Sequence, residues 1–211
     1  MRLRALETSM AECLSAPLVI VRADTTIAPT GLNRAESLHL AEFRHEQRRL
    51  DWLRGRNALK QLLPTLNCND DTTELRFPNR RVSLTHAGGS AYAVGTSAGC
   101  IGIGIDYEPL RNVNINIARW FLNDDEICWL MDEPRQNLCE ELIRLWTIKE
   151  AAFKAHPNND GLVLTKLAIA DPAAARIEVN VAGIAAPIRV TCRRFDAGYL
   201  SVATLRENGN D

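Results

Sequence analysis

Trp146-Thr147-Ile148-Lys149-Glu150-Ala151-Ala152-Phe153-Lys154 has the pattern of a helix, and Gly104-Ile105-Asp106-Tyr107-Glu108 upstream has that of a strand. In the helix, Glu150 and Lys154 stand four apart and share a face. In the strand, Asp106 and Glu108 are two apart, so both carboxylates lie on one sheet face. Three carboxylates on two rigid elements offer the all-oxygen donor set that a hard cation such as Mg²⁺ takes, with positions left open for phosphate. A lysine one turn beyond the third carboxylate meets that phosphate as a point charge. Taken singly, each piece is ordinary. Asp-x-Glu is often a solvated strand end, and a Glu–Lys pair on a helix is often a surface pair worth a few tenths of a kcal/mol. Trp146 and Phe153 put bulky apolar surface beside Glu150, which argues against that reading.

The strand is asymmetric. The face carrying Asp106 and Glu108 also carries Gly102 and Gly104, whereas the other face carries Ile101, Ile103, Ile105 and Tyr107. Strand glycines mark close approach by a ligand or another backbone. A cofactor lying across them, with its phosphates toward the cation, accounts for the pattern.

Working outward, residues 17–21 read as a first buried strand. Residues 36–63 read as one helix, with Leu40, Phe43, Leu50, Leu53 and Leu62 near a 3.6 period and Pro64 as its stop. A hairpin follows, from Val82–Thr85 through Gly88-Gly89 to Ala91–Val94. The strand 101–108 precedes two helices, 115–131 and 134–155, the second starting at Pro134. Strands are then expected at 162–170, 176–181, 188–192 and 199–204. The order is α+β without regular βαβ alternation.

The chain has 211 residues, 46% of them apolar, enough for a sizeable core in one or two domains. Twenty-five basic and 26 acidic residues nearly cancel, which argues against a nucleic-acid binder. No run of about eighteen apolar residues is present, so no membrane-spanning helix is expected. Charges in Met1-Arg2-Leu3-Arg4-Ala5-Leu6-Glu7 do not suit a signal peptide. Six cysteines without a C-x-x-C pair fit reduced thiols in a cytoplasmic protein.

The two acidic motifs, in this order, resemble the paired signature of the 4′-phosphopantetheinyl transferases. The resemblance takes in Ser83-Leu84-Thr85-His86 and Arg119-Trp120-Phe121-Leu122 with Glu126, covering roughly residues 50 to 155. The length is similar to that of the surfactin-type class, which implies two pseudo-symmetric α/β halves, near 1–102 and 103–211, with the active site in the cleft between them, and a monomer. The resemblance implies transfer of the phosphopantetheine arm of coenzyme A to a serine of an apo acyl or peptidyl carrier protein, an acidic partner, with release of 3′,5′-ADP. It implies Mg²⁺ on Asp106, Glu108 and Glu150. Glu150 is implied as the base, directly or through a metal-bound water, and Lys154 as a catalytic charge. Coenzyme A phosphates are implied to meet Arg56, Thr85, His86, Lys149 and Lys154, the 3′-phosphate falling to Thr85 and His86.

Read from the residues alone, these positions keep their alternatives. His86 before a Gly-Gly turn is more often a structural hydrogen-bonder. Arg49, Arg56 and Lys60 form one helical stripe that also suits a solvated basic face. Gly55 interrupts that helix at ~1 kcal/mol relative to Ala, a sign of close approach by something. Lys149 lies on a different helical face from Lys154. Thr85 stands for the family's usual serine, and the stretch Leu75–Arg81 is shorter than in many relatives, leaving Arg80 or Arg81 as replacement basic contacts. A Mg²⁺-dependent phosphohydrolase and a non-catalytic coenzyme A or carrier-protein binding module are the rival readings.

Overall fold

The computed structural model describes residues 3–132 and 137–206. It is a mixed α/β fold built on two antiparallel sheets. The smaller sheet has β1 (Leu18–Ala23), β2 (Val82–Ala87) and β3 (Ser90–Thr96), in the order β1-β3-β2. The larger has β4 (Gly102–Pro109), β5 (Leu167–Ile169), β6 (Ile177–Val181), β7 (Ile188–Phe195) and β8 (Gly198–Leu205), in the order β4-β8-β7-β6-β5. Edge strands β2 and β4 lie side by side without a ladder. There, Ile105 N–H donates to Ser83 Oγ at 3.2 Å and Ile103 N–H to the Asn79 carbonyl at 3.4 Å.

Among the described residues, five helices dress the sheets: α1 (Leu3–Leu14), α2 (Arg34–Ala41), α3 (Glu46–Leu62), α4 (Asp124–Asp132) and α5 (Leu138–Ala155). Helix α3 packs on the small sheet around Ala58, Leu59 and Leu62, which meet Val82, Ala91 and Ala93. Helix α5 packs on the large sheet, with Leu145, Ile148 and Ala152 in the core there. Helix α1 was not expected, yet Leu6, Met10 and Leu14 recur every four residues and are fully buried. They form a third cluster with Ile20, Tyr92 and Val94 of the small sheet and Ile103, Ile105 and Val202 of the large one. One helix therefore closes a core that both sheets share. No helix among the described residues is long and apolar enough to cross a membrane.

Three expected elements differ. The helix read over 36–63 is two helices, and Glu36 shows why. Its carboxylate is buried against Lys60 at 3.1 Å and accepts from the Thr72 hydroxyl at 2.5 Å. On a continuous helix those 24 residues would separate Glu36 and Lys60 by ~36 Å. The chain instead folds back, with α2 opened by an Asn33/Glu36 capping box and His45 extended before α3. The helix read over 115–131 is a 3₁₀ turn at Ile115–Trp120 followed by α4. The strand read over 162–170 shortens to β5 behind a 3₁₀ turn at Leu164–Lys166. Pro134, read as a helix start, lies outside the described residues.

Candidate active site

Strand β4 is sandwiched. Ile103, Ile105 and Tyr107 face the α1 core, while Gly102, Gly104 and Asp106 face α5. A Cβ added at Gly102 would collide with the Ala155 carbonyl, and one at Gly104 with the Ala151 carbonyl. This corrects the expectation that the glycines meet a cofactor. They let the backbone of α5 come down onto β4. Close approach was the right inference, and the approaching group is a helix. The same packing carries Lys154 onto the end of the strand.

Asp106, 4% exposed, is the hub. Its Oδ1 accepts from Lys154 Nζ at 2.8 Å and from the Thr85 hydroxyl at 2.9 Å. Lys154 also donates to the Ile105 carbonyl at 3.1 Å. Asp106 Oδ2 is buried with no partner, a condition that normally costs about 1–3 kcal/mol. Thr85 reaches it because β2 runs beside β4. Its hydroxyl, on a residue 5% exposed, is committed to Asp106, which corrects the expectation of a direct phosphate contact.

Glu150, half-buried and one turn before Lys154, makes no hydrogen bond or ion pair among the described residues. Burial pushes its carboxyl above the usual carboxylate range; Lys154 opposes the rise, and Asp106 and Glu108 add to it. Glu108, at the end of β4, pairs with Arg111 instead. Glu150 thus senses the charge of both other carboxylates. Among the described residues, however, no group of three or more His, Cys, Asp or Glu side chains is gathered as a metal-ligand set. The orphaned Asp106 oxygen and the under-compensated Glu150 leave excess negative charge on oxygen donors, and that chemistry fits a hard divalent cation.

Lys149 is a correction. It is fully buried, with Nζ on Glu126 Oε2 at 2.6 Å and on the carbonyls of Leu164 (3.2 Å) and Leu167 (2.5 Å). Glu126 in turn accepts from Ile169 N–H and Asn123 N–H, both at 2.8 Å. The pair fastens α5 to α4 and β5 and has no face left for a phosphate.

His86, at the end of β2, explains Gly55. A Cβ there would sit within 2.5 Å of His86 Nε2. Crowding by its surroundings lowers the imidazole pKa, Lys154 and Arg56 lower it further, and Asp51 pulls it back. His86 therefore lies within electrostatic reach of both Lys154 and Arg56. The Arg56 guanidinium stacks 4.8 Å from the Trp52 ring centroid and lines a cleft of about 310 Å³ with His39, Thr73 and Arg76. Of the basic residues in the short 75–81 stretch, Arg81 is spent on the Leu66 carbonyl at 2.9 Å, and Arg76 is the one that lines this cleft. Sequence reasoning missed Arg76 and Trp52; Trp52 sits four before Arg56 on the same face, a spacing that was legible. Lys60 belongs to Glu36 and to the Asp70 carbonyl, so the basic stripe does not act as one surface.

Residues 102–204 match the family model described as the 4′-phosphopantetheinyl transferase superfamily. A curated relative, 4′-phosphopantetheinyl transferase gsp of Aneurinibacillus migulanus, is 36% identical over 53 residues, 25% of this chain and 22% of that protein's length. Among solved structures, the holo-[acyl-carrier-protein] synthase of Thermotoga maritima aligns with a TM-score of 0.43 at 19% identity, over 52% of this chain and 65% of its own. The holo-ACP-synthase of Plasmodium yoelii aligns with a TM-score of 0.41 at 20% identity, over 52% of this chain and 97% of its own.

Proposed function

We infer, from the match of residues 102–204 to the 4′-phosphopantetheinyl transferase superfamily, that this chain is a member of that superfamily and an enzyme of its surfactin-type class. It moves the phosphopantetheine arm of coenzyme A onto a serine of an apo acyl or peptidyl carrier protein. The serine oxygen forms a bond to the β-phosphorus, the bond to the 3′,5′-ADP leaving group breaks, and the serine proton passes to Glu150, directly or through a water. The observation that carries this reading is the Asp106–Lys154 pair beside an uncompensated, half-buried Glu150. With no cation on it, a carboxylate whose proton affinity is raised by burial and by two neighbouring anions is a better base than an exposed one; with a cation on it, a neighbouring water takes over that role.

Asp106, Glu108 and Glu150 are the residues that would hold Mg²⁺. When bound, the cation supplies positive charge to the pyrophosphate and its leaving group. Lys154 adds its own charge at the same phosphate, and Thr85 keeps Asp106 oriented. His86 and Arg56 take the 3′-phosphate, and the Trp52–Arg76 cleft receives the adenosine end of coenzyme A. The N-terminal half, 1–102, thus binds the donor, and the C-terminal half, 103–211, does the chemistry. Holding serine and phosphorus in line supplies much of the acceleration.

The test is intact-mass analysis of several apo carrier proteins incubated with coenzyme A, Mg²⁺ and the protein. A mass gain of one phosphopantetheine on the acceptor serine, absent with EDTA, is expected. Hydrolysis of coenzyme A without any transfer would favour a phosphohydrolase, and unchanged coenzyme A and carrier a binding module.

A further inference from the structure

Glu108 and Arg111 are three residues apart at the turn where β4 ends, and their side chains form an ion pair. Glu108 is 22% exposed and Arg111 52%. Arg111 also leans on the Pro109 carbonyl at 3.4 Å. It stands between two clefts. One, of about 150 Å³, is mostly apolar and is lined by Val113, Ile117, Trp120 and Trp146, with Glu108 at its rim. The other, of about 360 Å³, is polar and includes Asn112, Asn137 and Glu140. Trp120 is 71% exposed, so a large apolar surface begins immediately beside this ion pair.

We propose that Arg111 competes with the divalent cation for the Glu108 carboxylate, and that an anionic partner seated beside the Trp120 cleft relieves the competition by drawing Arg111 away. The proposal rests on the cation seat inferred above. A carboxylate occupied by a guanidinium is a weakened cation ligand, because the two positive charges repel. An exposed pair is held only lightly, so it opens at little cost when a second anion is offered. Arg111 is a positioning residue: it decides when Glu108 is available. The carrier protein's acidic surface is the partner whose charge Arg111 suits, so docking and cation loading become coupled, each strengthening the other.

The readout is Mn²⁺ binding followed by electron paramagnetic resonance, without coenzyme A and without turnover. Arg111→Ala is expected to bind Mn²⁺ about two- to fivefold more tightly than wild type, the worth of an exposed ion pair. Arg111→Lys should stay near wild type. An apo acyl carrier protein with its acceptor serine changed to alanine should tighten Mn²⁺ binding to wild type and leave Arg111→Ala nearly unchanged. Equal or weaker Mn²⁺ binding in Arg111→Ala, with wild-type binding measurable, overturns the proposal while the cation seat stands. No Mn²⁺ binding to wild type or either variant overturns both.

Discussion

Burial, with Asp106 and Glu108 close by, holds the proton on Glu150 above the pH at which an ordinary glutamate releases it. A folded-state pKa raised above the unfolded value means stability is greatest below ~4.5 and falls as pH rises through the folded value. At neutral pH the ionised Glu150 therefore weighs against the fold. Glu150→Gln should raise the melting temperature near pH 7, by about 2–4 °C per kcal/mol relieved, and show no gain at pH 3.5. Transfer by the same variant should fall at least ~100-fold. Asp106→Asn should lose comparable activity but melt lower, because the amide keeps an acceptor for Thr85 while the charge that pairs with Lys154 is gone. Turnover near wild type in both, scored by carrier mass, would remove these carboxylates from the chemistry. His86 answers to a different assay. If it holds the 3′-phosphate, His86→Ala raises KM for coenzyme A by roughly 10- to 150-fold, spares kcat, and leaves dephospho-coenzyme A unaffected. Its lowered pKa sets the sign: preference for coenzyme A over dephospho-coenzyme A should grow as pH falls through a value below 6.5. Equal losses on both substrates make His86 a scaffold residue. Asp106, Glu150 and Lys154 were legible because their spacing is tied to element faces. The fate of Lys149 was not, since its partners Glu126, Leu164 and Leu167 arrive from elements distant in sequence.

Between β4 and α5 the decisive atoms are ones the chain lacks. Gly102 and Gly104 remove two side chains so that the Ala155 and Ala151 carbonyls can descend onto the strand. Lys154 reaches Asp106 only because the helix sits that low. Gly104→Ala, a single methyl, should lower stability by several kcal/mol and shift the melting temperature by more than ~6 °C. Coenzyme A affinity of any folded fraction, measured by calorimetry, should drop only in proportion to the lost fold. A stable Gly104→Ala with selectively weakened coenzyme A binding would restore the cofactor to that face. The asymmetry of β4 could be read from sequence as close approach, but glycine does not say what approaches. The α2–α3 break was hidden for a related reason: no Gly or Pro interrupts 36–63 except Gly55, which serves His86, and the break is set by the Glu36–Lys60 contact. Helix α1 carries a visible period in Leu6, Met10 and Leu14, obscured by the charges of Arg4, Glu7 and Glu12 around them.

Two sheets of unequal size share one of three cores. Leu6, Met10 and Leu14 bury themselves against strands from both, each contributing about 1.5–3 kcal/mol. Helix α3 covers the small sheet and α5 the large one, but the two sheets have common apolar ground beneath them. Calorimetry should therefore show one transition, with calorimetric and van't Hoff enthalpies equal. Separate expression of 1–102 and 103–211 should yield no cooperatively melting fragment, and two resolved transitions in the intact chain would contradict the shared core. The peg formed by α1 also has a consequence for biosynthesis. Leu6 of this helix leaves the ribosome about 195 residues ahead of Leu200 and Val202 of β8, which form part of its docking site. At about 5–20 residues per second the apolar stripe of α1 waits roughly ten to forty seconds for its seat. During that interval it is an exposed greasy segment on a nascent chain, the kind of surface on which trigger-type chaperones act, and yield on overexpression should depend on them more than final stability would suggest.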